Sequence, residues 1–204
     1  MTTLIKICGL SDAATVDAAI EAGADAVGFV FANSPRRVTA EHALKIAARV
    51  PAHIRKVAVM LNPTIAEWQE VKSVFQPEIL QTNIADFDRL EVPDDIGRWP
   101  VLREGETPAN DAWPDLFVYE GRMSGKGETV DWQLAAQHAG RGKMVLAGGL
   151  DSSNVAAAIR AVAPFGVDVS SGVESAPGKK DAGKIRTFIQ TVRAAGSTDE
   201  EGEV

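Results

Sequence analysis

Eight short apolar runs recur along the chain: LIKIC (4–8), AVGFVF (26–31), KVAVML (56–61), EILQT (78–82), PVLR (100–103), LFVYE (116–120), MVLAGG (144–149) and VDVSS (167–171). They are mostly β-branched or aromatic and apolar nearly throughout, as strands buried on both faces of a parallel sheet read. Amphipathic stretches lie between them. Segments 12–22, 40–49 and 130–139 read as helices. Val155, Ile159 and Val162 recur at helical spacing after Asp151, a good N-cap, and Ile185, Phe188, Ile189 and Val192 form a last stripe. Thr64 with Glu67 makes a capping box ahead of Trp68, Val71 and Phe75.

Strands alternating with helices leave two α/β architectures, a closed (β/α)8 TIM barrel or an open doubly wound sheet. The ends of the chain echo one another. CGLSDAATVDAAIEAGADAVG (8–28) is similar to GGLDSSNVAAAIRAVAPFGVDV (148–169): Gly-Leu, an N-cap, a Val and an Ile four apart, then a strand. A βα unit repeated at both ends favours the barrel, where first and last strands are neighbours. At roughly 25 residues per unit this is a lean barrel. The stretch 84–115 holds one strand and several prolines and aspartates, so the helices around strands four and five are expected to be short or absent. The domain reading is one barrel over 1–195 and an acidic tail, 196–204, expected to be disordered.

Composition narrows the function. The 204 residues carry 21 Lys+Arg against 28 Asp+Glu, a net charge of −7 with no basic cluster, which argues against nucleic acid as a partner. No apolar run approaches the ~18–20 residues of a membrane helix, and MTTLIKICGL does not resemble a secretory signal. The single cysteine suits a cytoplasmic, reducing setting. His42, His53 and His138 are scattered without a zinc-like spacing, so no metal site is expected.

Barrel enzymes place their chemistry at the C-terminal ends of the strands. Here those ends are Cys8, Ser34-Pro35-Arg36-Arg37, Gln81 to Asn83, Arg103, Glu120, Gly148-Gly149 and Ser170-Ser171-Gly172. Loops after the last two strands commonly hold a phosphate. Gly148 and Gly149 allow close backbone approach, and Ser170, Ser171 and Gly172 add donors; as bare turn residues they would need no ligand. Gly121 to Gly127 looks like a P-loop but is one residue short, with Gly127 where Ser or Thr should stand. It reads instead as a mobile glycine-rich loop. A lone cysteine is often just a small buried hydrophobe. Cys8 lies at a strand's catalytic end, two residues from Lys6, whose charge is expected to lower the thiol pKa. Glu120 ends an apolar run, where burial would raise a carboxylic acid's pKa. A thiolate base and a carboxylic acid fit proton transfer, such as an isomerisation. Arg36 and Arg37 either clamp a substrate carboxylate or form a solvated turn.

At this point KICGL (6–10), GADAVGFVF (23–31), SPR (34–36), VDW (130–132), LAGGL (146–150) and above all PFGVDVSSGVESAPGKKD (164–181) resemble the phosphoribosylanthranilate isomerase family of tryptophan biosynthesis, over about residues 4 to 193. The resemblance implies a (β/α)8 barrel with no metal or organic cofactor and a small phosphosugar substrate. It implies Amadori rearrangement of N-(5-phosphoribosyl)anthranilate to 1-(2-carboxyphenylamino)-1-deoxyribulose 5-phosphate. Cys8 matches the family's general base and Glu120 its general acid. Arg36 matches the arginine that binds the anthranilate carboxylate, with Asp168 also assigned to substrate binding. Gly148, Gly149, Ser170, Ser171 and Gly172 match its phosphate site. Two positions depart from the family pattern. Glu120 stands where Asp is usual, and Asn83 stands where the family has His after strand four. A barrel isomerase with another phosphosugar substrate, or a non-catalytic phosphate-ligand binder, remains open, as does the choice between monomer and homodimer.

Overall fold

Parallel pairing closes the apolar runs into a ring. β1 (Leu4–Cys8), β2 (Ala26–Val30), β3 (Arg55–Val59), β4 (Ile79–Asn83), β5 (Gly97–Arg103), β6 (Leu116–Glu120), β7 (Lys143–Leu146) and β8 (Gly166–Val169) pair in chain order, and β8 returns to β1. This computed structural model describes residues 2–122 and 129–197. The fold is the expected (β/α)8 barrel, with the two echoed strands side by side.

Each strand is followed by a helical segment. α1 (Ala13–Ala22) starts where the Asp12 side chain accepts from Thr15 N, α2 is Ala40–Ile46, and α3 (Ile65–Val74) opens on the Thr64–Glu67 capping box. Only 3-10 turns, Ile84–Asp88 and Ala109–Asp111, follow β4 and β5, as the Pro- and Asp-rich sequence there requires. α4 (Trp132–Ala139), α5 (Val155–Val162) and α6 (Ala182–Ser197) complete the ring. A small antiparallel hairpin, β9 (Glu174–Ala176) with β10 (Lys179–Lys180), interrupts the connection from β8 to α6.

Several boundaries differ from the sequence reading: β5 begins at Gly97 ahead of the run at 100–103, and α4 begins at Trp132 instead of 130. α2 stops at Ile46 instead of 49. α5 begins at Val155, because Asp151 caps the preceding turn: its Oδ1 accepts from Ser153 N at 2.7 Å and Asn154 N at 3.2 Å. Several apolar runs outlast their strands, since Met60 and Ala147 stay buried and donate to Gln81 O and Tyr119 O beyond the last regular pair. α6 runs to Ser197, and the tail from 198 lies outside the described residues.

Alternation along each strand builds two cores. Ile5, Ile7, Val27, Phe29, Leu80, Phe117 and Leu146 pack in the layer shared with the helices. Ala26, Val57, Ile79, Trp99, Val118 and Val145 fill the barrel interior. Each buried Val, Ile or Phe contributes about 1.5–3 kcal/mol relative to exposure. The interior plug is apolar below and polar above, and the polar layer is the floor of the site.

Candidate active site

A cavity of about 720 Å³ opens at the C-terminal ends of the strands. Cys8, Arg36, Glu120, Asp168, Gly148, Gly149, Ser170 and Ser171 all line it. Eight of the nine residues singled out from the sequence therefore converge. Gly172 is not on the wall. A Cβ there would lie 2.0 Å from Leu150 O, so glycine lets the β8 loop pack closely against the β7 loop. Gly149 (φ +62°) is similarly constrained, with Thr129 N 2.6 Å from where its Cβ would be. The glycine-rich stretch keeps Gly121 at the cavity, while residues 123–127 lie outside the described residues.

The floor is built on the β1–β8 seam. Lys6 and Asp168 are register partners on adjacent strands, and Lys6 Nζ reaches Asp168 Oδ2 at 2.6 Å with both side chains buried. Burial works against the Lys6 charge, but Asp168 and then Cys8 hold its pKa above the ordinary lysine value. Cys8, two residues on, faces the same interior. Gly28, its register partner on β2, leaves it room. The expectation of a lowered thiol pKa is corrected. Burial pushes the Cys8 thiol up; Lys6 opposes this, while Asp168 adds to it. Burial thus outweighs the cation that sequence proximity suggested.

Glu120 lies three strands around the barrel from Cys8, at the end of β6. It is only partly buried, and Arg103 Nη2, from its register partner on β5, lies 3.5 Å from its Oε1. The sequence reading placed Glu120 in an apolar setting; the structure instead puts a guanidinium against it. Arg103 also lines the cavity.

Arg36 is buried, not a solvated turn residue. Its Nε and Nη2 donate to Glu174 Oε1 and Oε2 at 2.6 and 2.9 Å. Lys180 Nζ joins the same carboxylate at 2.9 Å and donates to Ser170 O at 2.8 Å and Ser170 Oγ at 3.1 Å. Burial alone would raise the Glu174 carboxyl; its hydrogen bonds from Arg36 and Lys180 hold it down at about 2. Burial pulls the Lys180 pKa below the ordinary lysine value despite Glu174. Arg37 points to a neighbouring recess with Glu67.

Among the described residues, Gln81 Oε1, Asn83 Oδ1 and Asp168 Oδ1 are buried without a hydrogen-bond partner, and all three residues line the cavity. Unpaired buried acceptors at a cavity wall call for donors from a ligand. Asn83 Nδ2 donates to Asn62 Oδ1 at 2.6 Å, so an amide pair occupies the position where the resembled family has His.

Sequence reasoning missed Glu174 and Lys180 as site residues and named Lys6 only as a neighbour of Cys8. Lys6 sits in KICGL, and the other two lie in the long block at 164–181, so the signal was present as motif but without a role. Taken together, the cavity offers a buried thiol, a carboxylate across from it, a buried arginine, and small polar loops suited to an anion. That set fits acid–base chemistry on a small, doubly anionic molecule.

Comparison with known proteins agrees with this chemistry. The family model described as N-(5'phosphoribosyl)anthranilate (PRA) isomerase matches residues 5–191. The N-(5'-phosphoribosyl)anthranilate isomerase of Streptococcus gordonii is 43% identical over 195 residues, covering 94% of this chain and 98% of that one. The crystal structure of TrpF from Jonesia denitrificans superposes with a TM-score of 0.77 at 35% identity, covering 96% of this chain and 98% of that one. A phosphoribosyl anthranilate isomerase in complex with reduced 1-(o-carboxyphenylamino)-1-deoxyribulose 5-phosphate superposes with a TM-score of 0.76 at 31% identity, covering 95% and 100%.

Proposed function

The chain belongs to the N-(5'-phosphoribosyl)anthranilate isomerase family, and from that premise we propose how its own residues carry the reaction. It is an isomerase of N-(5'-phosphoribosyl)anthranilate in tryptophan biosynthesis. In the proposed mechanism Glu120 donates a proton to the furanose ring oxygen, and the ring opens to a Schiff base. Cys8 acts as base through its thiolate, the form that Lys6 favours against burial, and takes the C2′ proton. The resulting enolamine tautomerises to the ketone, 1-(2-carboxyphenylamino)-1-deoxyribulose 5-phosphate.

Arg36 takes the anthranilate carboxylate. The loops at Gly148, Gly149, Ser170 and Ser171 take the phosphate, with Gly172 holding the two loops together. Asp168 orients the sugar and neutralises Lys6. Gln81 and Asn83 supply acceptors for substrate donors. The reading also places the enzyme in the cytoplasm, in keeping with a single buried cysteine. None of the steps calls for a metal or organic cofactor.

The observation that carries this reading is the convergence of Cys8 and Glu120 on one cavity that also holds Arg36 and the two small-residue loops. A base and an acid at different parts of the wall suit a reaction that protonates one atom and deprotonates another. Steady-state kinetics with N-(5'-phosphoribosyl)anthranilate tests it. Cys8→Ala and Glu120→Ala should lower kcat, while Arg36→Ala should chiefly raise KM. An unchanged KM for Arg36→Ala would remove Arg36 from the carboxylate site.

A further inference from the structure

The β9–β10 hairpin lies beside the cavity and contributes side chains to its wall. Its first residue, Glu174, takes the Nε–Nη2 edge of Arg36 in a two-bond contact. Its last, Lys180, binds the same carboxylate and both oxygens of Ser170. The turn between them sits against the β2 loop: a Cβ on Gly178 would lie 2.6 Å from Pro35 O. One short hairpin thus touches the loop that carries Arg36 and the loop that carries Ser170.

Charge makes the arrangement more than packing. Two cations, Arg36 and Lys180, share one carboxylate, and all three are buried. Cations gathered at a cavity wall favour an anionic ligand there. A two-bond arginine–carboxylate contact also fixes the guanidinium plane. A substrate carboxylate would then meet a guanidinium whose plane Glu174 sets.

We propose that Glu174 and Lys180 are positioning residues for the two ends of the substrate. Glu174 orients Arg36 toward the substrate carboxylate, and Lys180 holds the Ser170 loop in the shape that receives the phosphate. The hairpin carries one positioning residue for each end. This rests on the isomerase reading of the same cavity.

Equilibrium binding separates the two roles. The probes are reduced 1-(o-carboxyphenylamino)-1-deoxyribulose 5-phosphate and the same compound lacking the ring carboxyl. Glu174→Gln should weaken the first by about tenfold or more and change the second by less than about twofold, since only the first uses Arg36. Lys180→Gln should weaken both, and should also weaken competition by inorganic phosphate. Glu174→Asp keeps the charge on a shorter stem and should show the same selective loss, smaller in size. It stands in for Glu174→Gln if that variant fails to fold. Equal weakening of both probes by the Glu174 variants, or no weakening, would overturn the proposal while leaving the isomerase reading intact. Wild-type protein that binds neither probe would overturn the isomerase reading and the proposal with it.

Discussion

Lys6 Nζ lies 2.6 Å from Asp168 Oδ2 across the seam where the barrel closes, and Cys8 follows Lys6 by two residues on the same inner face. The ammonium next to the thiol is therefore already matched by a carboxylate, and burial keeps the thiol protonated above its ordinary range. Alkylation of Cys8 by iodoacetamide should be slow at neutral pH and should accelerate as pH rises, with a midpoint above the ordinary thiol value of 9.0. Lys6→Met should slow it further. It should also cost about 3–5 kcal/mol of stability, because Asp168 would be left buried without its cation. Fast alkylation, independent of pH near neutrality, would contradict this.

Glu120 and Arg103 form the second pair that matters. Register on β5 and β6 places them side by side, 3.5 Å apart at their charged tips. Glu120→Ala should reduce kcat by about 10²–10⁴-fold with little change in KM, the range for loss of a positioned acid. Glu120→Asp shortens the reach by one methylene and draws the carboxyl away from Arg103. A misplacement near 1 Å is worth up to ~10²-fold, so this variant should fall between wild type and alanine. Near wild-type turnover in Glu120→Ala would remove Glu120 from the acid role.

Acid stability follows from Glu174. Its carboxyl titrates at about 2 in the folded protein, against an ordinary value of 4.5. A lowered folded pKa means the unfolded chain binds the proton more readily. The contribution is therefore complete above pH 4.5 and is lost as pH falls from there through about 2. Denaturant titrations at stepped pH should show this fall in wild type and a shallower one in Glu174→Gln.

Gly172→Ala tests the loop packing. The added methyl would meet Leu150 O at 2.0 Å, so the β7 and β8 loops must separate. Overpacking of this kind costs about 1–3 kcal/mol. Thermal denaturation should show the loss, and affinity for inorganic phosphate should drop with it. An unchanged melting temperature would show that the loops have slack.

Much of this was legible in the sequence because it depends on local pattern. Eight apolar runs gave eight strands, the echo at 8–28 and 148–169 gave the β1–β8 seam, and strand-end position gave Cys8, Arg36 and Glu120. Pairing between distant charges was not legible. Barrel register brings together Lys6 with Asp168, 162 positions apart, and Arg103 with Glu120, while the β9–β10 hairpin brings Glu174 to Arg36. The direction of the Cys8 shift was missed because Lys6 is visible two residues away, whereas the burial that outweighs it is not. Gly172 reads as a ligand donor from its neighbours Ser170 and Ser171; its close packing against Leu150 is a second constraint that the sequence does not show.

This barrel isomerises N-(5'-phosphoribosyl)anthranilate, and Cys8 is the base proposed for the step. Turnover of freshly made substrate, followed as the loss of anthranilate-type fluorescence, measures it directly. Wild-type protein should convert the substrate without added metal or cofactor, and Cys8→Ala should lose about 10²–10⁴-fold in kcat while still binding the reduced product analogue. A wild-type protein that binds the analogue but leaves the substrate unchanged, or a Cys8→Ala variant with near wild-type kcat, would contradict it.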